Sequence, residues 1–317
     1  MIQVNLIPSR ELNKAILKLE NSSFILGSNK KPVVELLSIE EISSNLKLKK
    51  RTEQPLNFEV QILANPLDFI KKNDAALRED FQLITKNRKS QPITKYVKTA
   101  NPTSIFIERG ARLEHCILNA SEGPIYIGKN ALIMEGAILR GPVSIGENSV
   151  VKMNATIYGA TTIGKSCLVG GEIKNSIFFD YSNKAHHGYI GDSVIGSYCN
   201  LGAGTSNSNI KNNASAVYIK FSKTTLKAGI KCGMFMGDYS RTAINTSINT
   251  GPVIGVCCNI FDAGLTPKSV PNFSWGNNQK YEFQTALVDI EEWKKLKNKS
   301  ITKEEKEVLK AMYKNQK

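Results

Sequence analysis

The chain has only three histidines among its 317 residues: His115, His186 and His187. Imidazole chemistry is therefore confined to two places. Its six cysteines, Cys116, Cys167, Cys199, Cys232, Cys257 and Cys258, form no C-x-x-C pair and no zinc spacing, so reduced core thiols are expected. Nothing resembles a signal peptide, and no apolar run is long enough to span a bilayer. These absences give a soluble, cytoplasmic protein without a membrane partner. The formal charge of +14, from 42 basic and 28 acidic residues, favours an anionic partner. The basic residues are dispersed, and neither a nucleic-acid reader motif nor an aromatic platform accompanies them. A phosphorylated metabolite or coenzyme is the better match, and no nucleic-acid partner is expected.

What is present is a hydrophobic period of six. Ile127, Ile133, Leu139, Ile145, Val151, Ile157, Ile163 and Val169 follow one another six residues apart without a break. That period is neither helical nor that of an ordinary two-sided strand. It marks a left-handed parallel β-helix, in which three flat faces of six residues make one coil. Glycines recur directly after inward aliphatics, as in Ile127-Gly128, Ile145-Gly146, Ile163-Gly164, Val169-Gly170, Ile195-Gly196 and Leu201-Gly202. Tight corners call for residues that tolerate positive φ and let backbones approach closely.

The frame lapses for about one coil and returns at Ile195 and Leu201; the lapse contains Asn183-Lys-Ala-His-His-Gly-Tyr189. A second break, 206–227, is polar and rich in Asn and Lys, after which the frame resumes as Ile230, Met236, Thr242, Ile248, Ile254 and Ile260. Breaks flanked by register read as loops on a solenoid face, where function concentrates.

Three segments follow. Residues 1–100 read as mixed α/β. Ser9 caps a short helix reaching Leu19, strands fall at Ser23–Leu26 and Val33–Leu37, Ser38-Ile-Glu-Glu41 is a capping box, and a second helix spans about Pro66–Thr85. This region reads as an accessory domain or as the remaining piece of a larger one. Lys86–Lys98 is polar and basic, as a linker would be. Residues 101–277 are the β-helix. Residues 278–317 change period, with a helix over Phe283, Leu287, Ile290 and Trp293 and another opened by the capping box Thr302-x-x-Glu305; together they are expected to cap the open end.

An imidazole beside a substrate amine suits general-base work, because it titrates near neutrality. His186 and His187 stand in the break of a rigid ladder and lead into Gly-Tyr-Ile-Gly-Asp192, which raises them above ordinary loop residues. A metal site is not expected: in an extended strand the two side chains point to opposite sides, and His115 lies several coils away. Leu201-Gly-Ala-Gly-Thr205 does not run from a strand into a helix, so it reads as a β-helix corner with exposed amides rather than a mononucleotide loop.

The ordered run Gly171-Glu-Ile-Lys174, Asn183-Lys-Ala-His186-His-Gly-Tyr189-Ile-Gly-Asp192, Asn200-Leu-Gly-Ala203-Gly-Thr205 and Asn209 resembles the acetyltransferase half of the bifunctional UDP-N-acetylglucosamine pyrophosphorylase/glucosamine-1-phosphate N-acetyltransferase family. It is closest to the divergent Bacteroidetes-type version. The resemblance covers roughly 105–276, and residues 1–100 resemble the latter part of that version's N-terminal region. It implies His186 as the catalytic base, with His187 a neighbour. It further implies Lys174 on the sugar phosphate, Tyr189 and Asn200 at the sugar, Asn209 near the reacting groups, and Ala203 as a backbone contact of acetyl-coenzyme A. Glu172 is a matching acid without an assigned role.

Three positions depart from the family. Its phosphate-binding arginine corresponds to 156–160, where none stands, a tyrosine becomes Ile210, and a serine becomes Asp238. The Gly-rich nucleotide loop is absent, so the nucleotidyltransferase part is incomplete and Mg2+ is implied only if that activity is present. The implied reaction is acetyl transfer from the co-substrate acetyl-coenzyme A to glucosamine-1-phosphate, making a cell-envelope precursor in a homotrimer with sites at subunit interfaces. The alternatives are acetylation of another sugar or sugar nucleotide, sugar-phosphate nucleotidyl transfer, and a catalytically silent trimeric scaffold.

Overall fold

The computed structural model describes residues 9–19, 23–26, 32–36, 52–56, 58, 60, 62–221, 224–276 and 279–315. The chain divides into two units, Met1–Asp68 and Phe69–Lys317. In the first, Ser9 caps the helix Arg10–Leu17 by accepting from the Leu12 N–H at 3.0 Å. The strand Ser23–Leu26 pairs antiparallel with Pro32–Leu36 and parallel with Thr52–Glu53. Leu12, Ala15, Ile25, Val34, Val60 and Ile62 make its small core. The expected capping box at 38–41 lies outside the described residues.

The second unit is a three-sided parallel β-helix. Face 1 runs from Lys98–Ala100 to Tyr189–Gly191, face 2 from Ile105–Ile107 to Ser269–Val270, and face 3 from Arg112–Leu113 to Ser274–Trp275, with Gln279–Lys280 added antiparallel. Each coil contributes one strand to each face in that order, and pairing is between successive coils, as in Val143↔Thr161 and Ile145↔Ile163. Side chains pointing inward stack in three columns and form one continuous apolar core.

The lapse between Val169 and Ile195 is a shift of frame, and the solenoid continues through it. Phe178, Lys184 and Ile190 occupy the inward positions of that coil, six apart, and Lys184 pairs in register with Val169. The coil is present but shortened: Val169 to Ile173 is four residues and Ile173 to Phe178 and Ile190 to Ile195 are five each, which shifts the frame, and one inward residue is a lysine. Asn207 is a second polar inward residue, 4% exposed. The second break does project: Val217–Phe221 and Thr224–Gly229 form an antiparallel hairpin. Ile230 is 56% exposed and lies outside the core, whereas Met236, Thr242, Ile248, Ile254 and Ile260 are buried as expected.

Corner chemistry divides between two residue positions. Gly128, Gly146, Gly164, Gly170, Gly196 and Gly202 lack positive φ; a Cβ on any of them would meet the backbone or side chain of the next coil at 2.7 Å or less. Their role is close approach alone. Positive φ instead falls on residues such as Asn130, Asn148, Ser166, Tyr181, Tyr198, Tyr239, Cys257 and Phe273 at the corner between faces 2 and 3. Cys167, Cys199 and Cys258 directly follow three of these and turn inward. All six cysteines are free and buried.

The segment 86–98 is not a free linker. The Gln91 N–H donates to the Ile107 carbonyl at 2.8 Å and its side-chain amide donates to the Ala111 carbonyl, while Ile93 and Val97 join the core. Before it, the helix Leu67–Thr85 lies on face 2, where Asn73 donates to the Ala160 carbonyl and accepts from the Thr162 hydroxyl.

The C-terminal helices Phe283–Lys295 and Lys303–Lys314 have the expected Thr302/Glu305 capping box. They pack along the flank as well as near the end. Tyr181, Tyr198 and Tyr239 stack up the corner between faces 2 and 3, and the buried Lys294 ammonium lies 4.8 Å from the Tyr198 ring while pairing with Glu305 at 2.6 Å. Lys297 reaches farther down the solenoid, to the Ser166 carbonyl and Asn183.

This division of corner roles gives opposite outcomes for neighbouring substitutions. In Gly146→Ala the new methyl meets the Gly164 backbone at 2.4 Å; chemical denaturation should show a loss of about 1–3 kcal/mol. Asn148→Gly, at φ 57°, should change stability by less than about 1 kcal/mol.

Candidate active site

The corner between faces 3 and 1 carries both neighbouring histidines. His186 and His187 are exposed there, between Gly171 of the coil below and Gly204 of the coil above. The coils approach closely: a Cβ on Gly171 would meet the His186 carbonyl oxygen at 2.9 Å, and the Gly204 N–H donates to the His187 carbonyl at 3.1 Å. Neither imidazole is packed over, so a substrate has access to both.

Beneath this corner Lys184 is fully buried. Its ammonium donates to the carbonyls of Gly170 at 3.3 Å, His187 at 3.0 Å and His186. An ammonium has three N–H donors, and here each finds a carbonyl. Burial lowers the Lys184 ammonium to about 8, so it stays largely charged at neutral pH.

Face 1 turns polar side chains outward beside the corner. Parallel register puts Tyr158 next to Lys174 and Glu172 next to Tyr189 on successive coils, about 4.8 Å apart along the axis. The Tyr158 hydroxyl donates to Glu172 at 2.6 Å, and the Lys174 ammonium lies 5.4 Å from the Tyr158 ring centroid. Gly191 leaves room for Tyr189, since a Cβ there would come within 2.1 Å of the Tyr189 hydroxyl oxygen. Asn209 donates to that hydroxyl at 2.9 Å and to Asp192 at 2.5 Å, while Asp192 also accepts from Asn175 at 2.7 Å. With its oxygen already accepting from Asn209, Tyr189 is left with its own proton to donate. Burial, then the charges of Asp192 and Glu172, push its phenol up to about 12.

Above Tyr189 the backbone ladder of face 1 is replaced by side chains. The Tyr189 N–H donates to the Ser206 hydroxyl at 3.0 Å, and the Gly191 N–H donates to the inward Asn207 amide oxygen at 2.8 Å. Ser206–Asn207 pairs onward with Ser247–Ile248, so the solenoid continues while face 1 opens at the Tyr189 coil.

His186, Tyr189, Lys174 and Asn209 thus share one corner and the face next to it. Ala203 lies on the same corner one coil up, where its carbonyl accepts from Asn245. Asn200 does not join them within one chain. It stands on face 3, in register with Asn183 and Arg241, and accepts from the Asn183 amide at 3.5 Å. The expected arginine position, 156–160, presents Tyr158. In that column Tyr158 stands between Lys174 on the coil above and Arg140 on the coil below, the latter paired with Glu122 at 2.8 Å. Among the described residues no group of three or more His, Cys, Asp and Glu is arranged to hold a metal.

Sequence reasoning missed the interior role of Lys184 and the contribution of Asn175. Lys184 was detectable: it stands six residues after Phe178 and six before Ile190. Asn175 carried no signal, because it adopts positive φ at a corner where asparagine is ordinary.

Comparison with known proteins adds two matches that meet on this architecture. Residues 1–89 match the family described as sugar nucleotidyl transferase, and residues 124–159 match the bacterial transferase hexapeptide of six repeats. The chain thus joins a segment similar to sugar nucleotidyl transferases to repeats of the bacterial transferase hexapeptide type. It is 36% identical over 84 residues to a bifunctional protein GlmU of Methanococcus maripaludis, covering 26% of this chain and 20% of that protein. A bifunctional sugar-1-phosphate nucleotidylyltransferase/acetyltransferase of Sulfurisphaera tokodaii is 33% identical over 100 residues, 31% of this chain and 25% of its own. The matched stretch therefore spans a quarter or less of these relatives. A solved Arabidopsis UDP-N-acetylglucosamine acyltransferase overlaps at 15% identity and a TM-score of 0.37, covering 57% of this chain and 69% of that one, too distant to inform function. No helix among the described residues is long and apolar enough to cross a membrane.

The raised tyrosines give the site an alkaline signature. Tyr158, held by its bond to Glu172 and by burial, is also pushed up to about 12. An unfolded phenol ionises near 10, so between about pH 10 and 12 the unfolded chain holds fewer protons and stability falls as pH rises. Urea denaturation across that window should show a shallower fall in the double variant Tyr158→Phe/Tyr189→Phe than in the parent.

Proposed function

We propose that this transferase moves the acetyl group of acetyl-coenzyme A to the amine of glucosamine-1-phosphate, a step towards UDP-N-acetylglucosamine. The observation that carries the reading is an exposed His186 on a rigid corner, directly beside a face that offers a cation, a phenol and amides. Lys174 holds the phosphate by a charge-assisted hydrogen bond. Tyr189 and Asn209 hold the sugar, and Asp192 fixes Asn209 by accepting from it. His186 takes the proton of the amine as the nitrogen attacks the thioester carbonyl, and coenzyme A leaves as its thiol. The Ala203 N–H, on the next coil of the same corner, stabilises the oxyanion. A rigid solenoid keeps these groups in place without reorganisation, which favours a two-substrate reaction.

Asn200 enters this scheme only from another copy, since within one chain it stands on a different face. Flat faces that expose Ile117 and Ile138 beside the site also suit packing against copies. The reading therefore includes a homotrimer with sites shared between subunits. Sedimentation at micromolar concentration should return three times the chain mass, and a monomer would remove this part of the proposal.

The assay that tests the reaction follows release of coenzyme A thiol with glucosamine-1-phosphate. His186→Ala should lower kcat by about 10²–10⁴-fold, while His187→Ala stays near the parent. Lys174→Ala should raise KM for the sugar phosphate by about tenfold or more and leave KM for acetyl-coenzyme A unchanged. The match of residues 1–89 to sugar nucleotidyl transferases favours a second reading, nucleotidyl transfer to a sugar phosphate. Magnesium-dependent pyrophosphate release from a nucleoside triphosphate would select it.

A further inference from the structure

We propose that Lys184 is a positioning residue: from inside the solenoid its ammonium holds the carbonyls of His186 and His187, and so sets the direction of the His186 imidazole. This rests on the reading of His186 as the base and adds the device that orients it.

Packing alone does not call for a lysine here. The matching inward residue of the coil below is Val169, and that of the coil above is Leu201, both buried. An aliphatic side chain would fill the same column, whereas a buried ammonium costs free energy unless its donors are satisfied. The difference lies in the corner. In the coils of Ile133, Val151, Leu201 and Thr242 the positive-φ residue comes three positions after the inward side chain, at Gly136, Asn154, Gly204 and Asn245, and in that of Val169 two positions after, at Gly171. After Lys184 it comes four positions later, at Gly188, with φ 117°. The altered turn brings two consecutive carbonyls, those of His186 and His187, to the Lys184 ammonium. The third acceptor, the Gly170 carbonyl, ties the same ammonium to the coil below. Rotation of the 186–187 peptides, which would swing both imidazoles, breaks at least one of these bonds. The only covalent freedom left to His186 is that of its own side chain.

The test uses the full chain and Lys184→Met, which keeps the unbranched stem and removes the donors. A residue that only fills the core predicts unchanged kinetics. Positioning predicts that Lys184→Met folds with a thermal midpoint at or above the parent's, loses about 10–100-fold in kcat, and keeps KM for both substrates near parental. In the parent, 15N NMR should show, besides the ion-paired Lys294, a lysine ammonium signal protected from solvent exchange and lost in the variant, and the His186 imidazole resonances should shift or broaden in Lys184→Met.

A folded variant with parental kcat, or one whose loss is entirely in KM, overturns the proposal. So does a parent in which no protected ammonium signal correlates with the Lys184 side chain, a result that decides the matter even if Lys184→Met fails to fold. Were the parent to show no acetyl transfer, the reaction assignment would fall. The protected signal and the His186 shift would still separate a clamp from a core filler.

Discussion

Stacking of one coil on the next is the constraint on which everything else in this molecule depends. Successive strands sit at hydrogen-bonding distance, so each coil has room for only a few inward side chains and for corners with almost no bulk. Ile145, Ile157 and Ile163 satisfy the first condition, and Gly146 and Gly164 the second. Any residue that violates either condition must be compensated within the same coil or its neighbours. The Tyr189 coil is where the violations gather. A lysine fills one column, an asparagine fills another one coil later, and side chains replace backbone in the ladder between them.

That concentration explains how a monotonous scaffold holds a particular site. The regular coils supply stiffness and a fixed spacing along the axis. At the corner between faces 3 and 1, polar interior groups satisfy carbonyls that the altered turn presents to them. The consequence on the outside is a pair of accessible imidazoles beside Lys174, Tyr189 and Asn209. Asp192 and Asn175 then brace Asn209 from the corner between faces 1 and 2. Function here is a local exception maintained by the order around it.

Much of the fold was legible in the sequence, because few folds besides a parallel β-helix turn an aliphatic side chain inward at every sixth residue. The hairpin at 217–229 and the capping box at Thr302 were legible for similar reasons, being broken register and a local motif. Three features were not. The role of the recurrent glycines was half right: closeness was required, but positive φ fell on asparagines, tyrosines and a cysteine, whose conformation leaves no mark in composition. The coil around Lys184 looked absent because spacings of four and five residues carry its inward positions out of the frame, and one of those positions is a buried lysine. The helices over the tyrosine ladder were expected at the open end; the cation–aromatic and ion-pair contacts of Lys294 that hold them to the flank join residues far apart in sequence. Among candidate site residues, His186, Lys174, Tyr189, Asn209 and Ala203 fall on one corner and its adjoining face, whereas the face assignment of Asn200 depends on coil geometry that motif order does not encode.

The central claim is that chemistry takes place at the corner between faces 3 and 1, along the coils of Gly171, His186 and Ala203. Its most direct test is NMR mapping of amide and imidazole resonances while coenzyme A and glucosamine-1-phosphate are added separately. Coenzyme A should perturb Ala203 and Ala243 on that corner, and the sugar phosphate should perturb Lys174, Tyr189 and His186. Perturbations confined to other faces, with this corner silent to both compounds, would contradict the account.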